Sequence, residues 1–279
     1  MKIKILSDST CDLSPALLAE NNISLVPLTV VKGGEQFKDG VTITAADIFA
    51  HVAAGGDLCS TAANSIGEYA DVFEQYTGCE GVIHITIGSG FSSCYQNACL
   101  AAEDYPNVRV IDSQNLSTGQ GLVVLKACEL AKTATDLDAL ADELRAFTEK
   151  VEASFLVDKL DYLAKGGRCS AVAALGANLL NLKPCIEVKN GKMGVVKKYR
   201  GKYEKCLATY VKERLADRED IDHDILFVTQ TQVSDECYAA VMAAVAENGN
   251  FAHTYETVAG CTVSCHCGPG TLGVLFVRK

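Results

Sequence analysis

Residues 81–98, GVIHITIGSGFSSCYQNA, join an apolar strand-like run to a helix through a loop of glycine and serine. The apolar run is rich in β-branched residues, which predicts a buried strand. Gly88 and Gly90 allow a sharp turn and a close approach of the backbone to a ligand. We expect Ser92 or Ser93 to cap the following helix. A helix start carries free N–H groups and a partial positive charge, so this stretch predicts an anion site.

The loop lacks the residues of one familiar class of anion site. No Lys-Ser/Thr pair follows the second glycine, so a nucleotide triphosphate site of the Walker A kind is disfavoured. An ordinary capped turn between a strand and a helix has the same local features. The loop by itself therefore leaves a ligand site and a structural turn as alternatives.

The first half of the chain alternates strands with helices. Polar residues end several of the predicted strands, as in Ser7-Asp8-Ser9-Thr10 and Asp112-Ser113, and Thr61 lies in a further polar loop. Such alternation predicts a parallel sheet with helices on both faces, whose ligands lie beyond the carboxyl ends of the strands. We expect residues 1–152 to form this α/β domain with a mainly parallel sheet.

The second half has a different pattern. Asn190-Gly191 lies between two strand-like runs, which is the strongest short-range signal of a β-hairpin. Further strands and helices follow it. Residues 153–279 are therefore predicted to form a second α/β domain with a mixed or antiparallel sheet.

Local signals give more detailed expectations. Ile23–Val31 is predicted to be one strand, and Thr44 is predicted to cap a helix over 45–52. Ser65 and Glu68 have the spacing of a capping box, which predicts a helix over 66–76. Another helix is predicted from Ser170 through Leu180.

Composition excludes some classes of function. The chain has 279 residues and a formal net charge of −10, which argues against nonspecific binding of nucleic acid. No apolar run approaches the roughly 20 residues of a membrane span, and the first residues form a strand without a signal peptide, so we expect a cytoplasmic protein that is not membrane-embedded. The 13 cysteines are odd in number and scattered, so most are expected to be reduced and buried.

Seven separated segments occur in the order of one known family. They are SDSTCDL, STAANSIGEY, SGFSSCYQNA, VIDSQNLSTGQG, LDYLAKGGRCS, LNLKPCIEVKNG and HCGPGTLGV. Together they resemble the DegV family, the fatty-acid-binding proteins that serve bacterial fatty acid kinase as substrate-carrying subunits. The resemblance covers essentially the whole chain.

This resemblance implies a site and a role. It implies a long-chain fatty acid buried between two domains, with its carboxylate held by Thr61 and Ser92 and with His266 near the same carboxylate. The protein would then be no enzyme: it would have no catalytic residue, cofactor or metal of its own, and the kinase catalytic subunit would be its partner. The family more often reads T-S-Q-P from Thr61 and S-G-T from Ser92, so Ser93 adds a hydroxyl here.

A basic segment suggests where that partner binds. From Lys183 to Lys205 there are eight Lys or Arg against two Glu, and Lys198 and Arg200 are predicted to face the kinase. Arg168 is a further candidate. Its side chain could reach the cleft between the domains or pair with a strand-end acid such as Asp8.

Other classes of function remain as alternatives. Gly88-x-Gly90-x-x-Ser93 followed by Asp112 imitates a dinucleotide fingerprint, although the third glycine is missing and Asp112 suits a strand-end cap. A hydrolase could use Ser92 and His266, but the G-x-S-x-G elbow is absent. A metal site is a further alternative, because four residues of metal-ligating types lie in one short segment, at Cys261, Cys265, His266 and Cys267. Residues so close in sequence rarely all face one ion.

Overall fold

The computed structural model describes residues 1–173 and 182–279 of the chain. Its helices are α1 Pro15–Glu20, α2 Ala45–Ala53, α3 Ile66–Glu74, α4 Cys94–Ala102, α5 Thr118–Ala131, α6 Leu137–Thr148, α7 Asp161–Gly166, α8 Ser170–Ala173, α9 Tyr203–Leu215, α10 Asp235–Asn248 and α11 Cys261–Cys267. Its strands are β1 Ile3–Asp8, β2 Ser24–Val26, β3 Thr29–Lys32, β4 Glu35–Lys38, β5 Ser60–Ala62, β6 Gly81–Thr86, β7 Val108–Asp112, β8 Val151–Leu156, β9 Leu182–Lys189, β10 Lys192–Arg200, β11 Ile221–Thr231, β12 His253–Val258 and β13 Thr271–Arg278. The helix predicted from Ser170 is seen as α8, and the rest of that prediction lies outside the described residues.

A four-stranded parallel sheet forms the first layer, in the order β2-β1-β6-β7. Every residue of β6 is buried, as its β-branched sequence predicts. Helices α4 and α5 pack on this sheet. The predicted parallel α/β architecture of the N-terminal half is confirmed.

A six-stranded mixed sheet forms the second layer, in the order β10-β9-β8-β13-β11-β12. Only β11 and β12 pair in parallel, and the other neighbours are antiparallel. Asn190 and Gly191 turn β9 into β10 with φ of 51° and 67°, which is the left-handed geometry that this dipeptide favours. The mixed sheet and the hairpin are both confirmed. The division into domains 1–152 and 153–279 stays a prediction, and β8 already begins at Val151.

A small antiparallel sheet, β4-β3-β5, was not predicted. The expectation of one strand over Ile23–Val31 is wrong, because β2 ends at Val26 and β3 begins at Thr29. Pro27 separates them: it has no N–H to give to a ladder, so it suits the break between two strands. This sheet positions Thr61, which lies in β5 opposite Val30 of β3.

Two of the three expected helix caps are formed by side chains. Thr44 with Asp47 and Ser65 with Glu68 form complete capping boxes, as predicted. At α4 the cap residue is Ser93, whose side chain makes no capping bond. The oxygen of Ser92 accepts a hydrogen bond from the Cys94 N–H at 3.3 Å instead.

The short helix α11 contacts elements from both halves of the chain, among them α2, β3, β5 and α7. Two buried carboxyl groups hold its first turn. Asp12 accepts the N–H of Gly260, and Asp39 accepts the N–H groups of Cys261 and Thr262. Burial raises the pKa of Asp12 to about 8, and the charge of Asp39 adds to the effect. These contacts fix α11, which carries His266, against the N-terminal half.

Across residues 1–173 and 182–279, no helix combines the length and the apolar character that crossing a bilayer requires.

Candidate functional site

A cavity opens where β5, the loop after β6, the loop after α7 and helix α11 meet. It has about 520 Å³ of space between atoms, counting its open mouth. Its polar side chains include Thr61, Ser92, Arg168 and His266. Leu28, Ile87 and Phe91 are among its apolar walls. The fold thus brings together four residues that are distant in sequence and were each singled out from it.

Thr61 and His266 form the closest pair in this cavity, with 2.8 Å between Oγ1 and Nε2. Burial, together with the positive charge of Arg168, lowers the pKa of His266 to about 4. The imidazole is therefore neutral at pH 7, and one hydrogen bond joins its Nε2 to the threonine hydroxyl. Its Nδ1 has no hydrogen-bond partner in the described part of the chain.

Gly166 explains part of the position of the imidazole. A Cβ atom at Gly166 would lie 2.6 Å from Nδ1 of His266. Only glycine lets the end of α7 come this close to the ring. The first glycine of the KGGR segment is therefore needed for packing against the site.

Ser92 lies in the loop between β6 and α4 and is half-buried at the cavity wall. Its hydroxyl donates to the sulfur of Cys94 at 3.1 Å. Because Nε2 of His266 contacts Thr61, the described residues give Ser92 no imidazole partner. The Ser–His hydrolase considered above has no dyad in this arrangement.

Ser93 and Gly90 of the same loop have different surroundings from Ser92. Ser93 is exposed and is outside the residues that line the cavity. A Cβ atom on Gly90 would overlap the carbonyl oxygen of Gly191 at the tip of the β9–β10 hairpin. Gly90 therefore permits contact between two backbone segments, whereas its predicted role was approach to a ligand.

Asp112 acts as the predicted strand-end cap. Its carboxylate accepts the Ser89 N–H at 3.0 Å, the Ser89 hydroxyl at 2.5 Å and the Gln114 N–H at 2.9 Å. These bonds occupy the group that a dinucleotide site would use for a ribose.

Arg168 lies at the mouth of the cavity. Its Nε donates to the carbonyl of Phe91 at 3.4 Å and its Nη1 to that of Gly166 at 2.7 Å. Of the two alternatives for this residue, the cleft is the one observed. Asp8 is buried elsewhere, where it accepts the Tyr69 hydroxyl and the Ile87 N–H.

A second cavity lies beside the first, against the six-stranded sheet. The two share Leu116, Val263 and Cys267 as walls, and the second encloses about 410 Å³ of space between atoms. Ala153 and Leu275 of the six-stranded sheet are among its further walls. Hydroxyl groups lie there too, but the Thr231 and Thr271 hydroxyls donate to backbone carbonyls. This second cavity is therefore an apolar chamber.

Lys198 and Arg200 are exposed on β10 and lie outside both cavities.

The cysteine-rich helix α11 carries the residue types that could ligate a metal ion. Among the described residues, no three His, Cys, Asp or Glu side chains are grouped closely enough to hold a metal ion. Burial raises the pKa of Cys261 and Cys267 to about 12, so both are protonated thiols at pH 7.

Sequence reasoning did not find the walls of the chamber or the neighbours of Ser92. The side chains that line the chamber are ordinary apolar residues, and Cys94 has the pattern of a small core residue. Their arrangement depends on how the two sheets pack, which no local motif encodes. Only the polar end of the cavity had a signal in the sequence.

The fold is that of an α/β protein with two main sheets, and it places a cavity with four polar side chains beside an apolar chamber. A sequence profile described as "Uncharacterised protein, DegV family" matches residues 2–279. A DegV domain-containing protein of Clostridium acetobutylicum is 31% identical over 100% of this chain and 99% of its own. The chain belongs to the DegV family.

Solved structures agree with this assignment. A structure from Thermus thermophilus, described as fatty acid binding of a DegV family protein, is 28% identical, covers 100% of both chains and has a TM-score of 0.89. A stearic acid-binding protein from Eubacterium ventriosum is 28% identical over 99% of this chain and 98% of its own, with a TM-score of 0.84.

Proposed function

We propose that this protein binds a long-chain fatty acid, with the carboxylate at Thr61, Ser92 and His266 and the tail in the apolar chamber. One observation carries the proposal: the hydroxyl and imidazole groups lie together in a cavity that shares three wall residues with the apolar chamber. The fatty acid binding described for the Thermus thermophilus and Eubacterium ventriosum proteins supports it.

The chemistry of each end suits such a ligand. Each buried methylene contributes about 0.8 kcal/mol, so a long chain supplies most of the affinity. The polar end needs only to satisfy the carboxylate oxygens, which hydroxyl and imidazole N–H donors can do. A neutral His266 and two hydroxyls hold the carboxylate without a bidentate cation, so its oxygens keep their nucleophilic character.

The purified protein is expected to release a stoichiometric fatty acid on denaturing mass spectrometry. The Thr61→Ala/Ser92→Ala double variant should lose at least about tenfold in affinity, because two head-group hydrogen bonds are worth about 1 kcal/mol each. Thr133→Ala/Thr209→Ala removes two exposed hydroxyls and is the control. A double variant that binds fatty acid as tightly as the unsubstituted protein would contradict the assignment.

The finer part of the proposal is presentation of the bound acid to a separate kinase, which forms the acyl phosphate. Arg168 at the cavity mouth and the exposed Lys198 and Arg200 on β10 are the residues we assign to partner contact. Lys183 and Lys197 of the same hairpin already pair with Asp158 and Glu213. Within residues 1–173 and 182–279, Lys198 and Arg200 form no such ion pair, so their charge is free to attract an acidic surface.

Charge reversal tests this docking surface. In a reconstituted reaction with a fatty acid kinase catalytic subunit and ATP, Lys198→Glu/Arg200→Glu should slow acyl phosphate formation about tenfold at low salt and leave lipid content unchanged. Lys132→Glu/Lys150→Glu makes the same change of charge at exposed positions elsewhere and should have little effect. Equal rates for both double variants would exclude Lys198 and Arg200 from the docking surface.

A further inference from the structure

Three buried threonine hydroxyls form a chain beside the apolar chamber. Oγ1 of Thr229 lies 2.6 Å from Oγ1 of Thr118 and 2.8 Å from Oγ1 of Thr257. Thr229 and Thr257 are register partners in the parallel pair β11–β12, and Thr118 is the first residue of α5. All three residues are at most 7% exposed. Of the three, only Thr229 belongs to the described wall of the chamber.

The hydrogen bonds within this chain leave one hydrogen unused. Three hydroxyl groups carry three hydrogens, and the two contacts between them use only two. If Thr118 and Thr257 both donate to Thr229, the hydrogen of Thr229 is left over. If both bonds run in the same direction, an end residue keeps its hydrogen and Thr229 keeps a lone pair. Within residues 1–173 and 182–279 these hydroxyls make no further hydrogen bond, so Thr229 can donate to or accept from a group in the chamber.

The other hydroxyl groups of the described chamber wall donate to acceptors with fixed positions. These acceptors are a carboxylate oxygen, a phenol oxygen and two backbone carbonyls, for Ser117, Ser154, Thr231 and Thr271 in that order. The phenol is that of Tyr210, which spends its own hydrogen on the carbonyl of Ser154 at 2.6 Å. Thr229 therefore differs from its neighbours in the wall, because its partners in the described chain are hydroxyl groups whose hydrogens can be rearranged.

We propose that Thr229 is a specificity residue, through which the chamber accepts a fatty acid that carries a hydroxyl group on its tail. A hydroxyl that enters an apolar chamber without a partner loses its hydrogen bonds to water, which disfavours binding. One wall group with an available hydrogen or lone pair removes this penalty at one point along the tail. A ligand hydroxyl both donates and accepts, so it fits every arrangement of the threonine chain, whereas a keto oxygen fits only the one in which Thr229 donates. This inference rests on the proposed function and narrows its class of ligand.

The test measures how affinity depends on the position of the ligand hydroxyl. Octadecanoate and a series of monohydroxy octadecanoates, with the hydroxyl on every second carbon from C6 to C18, are compared on the full chain by displacement of a fluorescent fatty acid. One position, or two adjacent members of the series, should bind within about threefold of octadecanoate. The other positions should bind at least about tenfold more weakly, because their hydroxyl is buried without a partner.

Three variants assign the preferred position to Thr229. Thr229→Val removes the hydroxyl at nearly constant volume and should weaken the preferred hydroxy acid at least about tenfold relative to octadecanoate. Thr271→Val is the matched change at another wall residue, whose hydroxyl donates to a backbone carbonyl, and should leave that ratio unchanged. Thr118→Val/Thr257→Val removes both partners of Thr229 but keeps its hydroxyl, so the preferred position should be retained.

Three results would overturn the assignment of Thr229. They are equal weakening at every hydroxyl position in the unsubstituted protein, equal affinity at every position, and a preferred position that survives Thr229→Val. The first two are decided on the unsubstituted protein, so they do not depend on whether a variant folds. Failure of the unsubstituted protein to bind octadecanoate itself would instead overturn the proposed function, and the inference with it.

Discussion

Replacing Ala153 by phenylalanine is expected to lower the affinity for palmitate at least about a hundredfold and to leave octanoate binding nearly unchanged. Ala153 is 1% exposed and its small side chain is part of the chamber wall. A phenyl ring there would fill the space of about four to six methylenes, each contributing about 0.8 kcal/mol. The short acid needs only the part of the cavity near Thr61 and Ser92.

The control for this variant is Ala244→Phe. Ala244 is also buried but lies in the other hydrophobic core, away from the chamber. Both substitutions overpack a core, so both lower the unfolding midpoint in urea. Only the chamber variant should change the ratio of palmitate to octanoate affinity. An unchanged ratio would place the tail elsewhere in the protein.

Replacing Asp39 by alanine is expected to lower the free energy of unfolding by about 3 to 5 kcal/mol. The carboxylate accepts four hydrogen bonds, which come from the Ser9 hydroxyl, the N–H of Cys261, and the N–H and hydroxyl of Thr262. Asp39 is 3% exposed, so water has little access to these donors when the carboxylate is removed. Each buried donor without a partner costs about 1 to 3 kcal/mol.

An exposed cap is the matched control. Asp136 accepts two N–H groups at the start of α6, and its replacement by alanine should cost only about 1 kcal/mol. The free energies come from urea unfolding followed by circular dichroism. The same Asp39 variant should also bind fatty acid less tightly, because its helix carries His266. If Asp39→Ala cost no more than Asp136→Ala, these bonds would not hold α11 in place.

Features with a local physical cause were predictable from the sequence. Asn190-Gly191 needs only its own backbone preference to make a hairpin, and Ser65 with Glu68 forms a capping box from neighbours in the chain. The all-buried β6 follows from its β-branched residues. Thr61, Ser92 and His266, which the family resemblance grouped together, line one cavity.

Features that depend on long-range packing were not predictable. The residues on both sides of Pro27 within Ile23–Val31 favour strands, but β2 and β3 join different sheets because their partners lie elsewhere in the chain. Ser93 looks equivalent to Ser92 in the sequence, and only the orientation of the α4 start places one at the cavity and the other in solvent.

The backbone contact between Gly90 and Gly191 joins the basic hairpin to the loop that carries Ser92. Met193 of the same hairpin is also part of the cavity wall. The hairpin therefore borders the cavity at two points, its tip and Met193. Under the proposed function, a partner bound to the outer surface of β9 and β10 would contact an element that also borders the ligand.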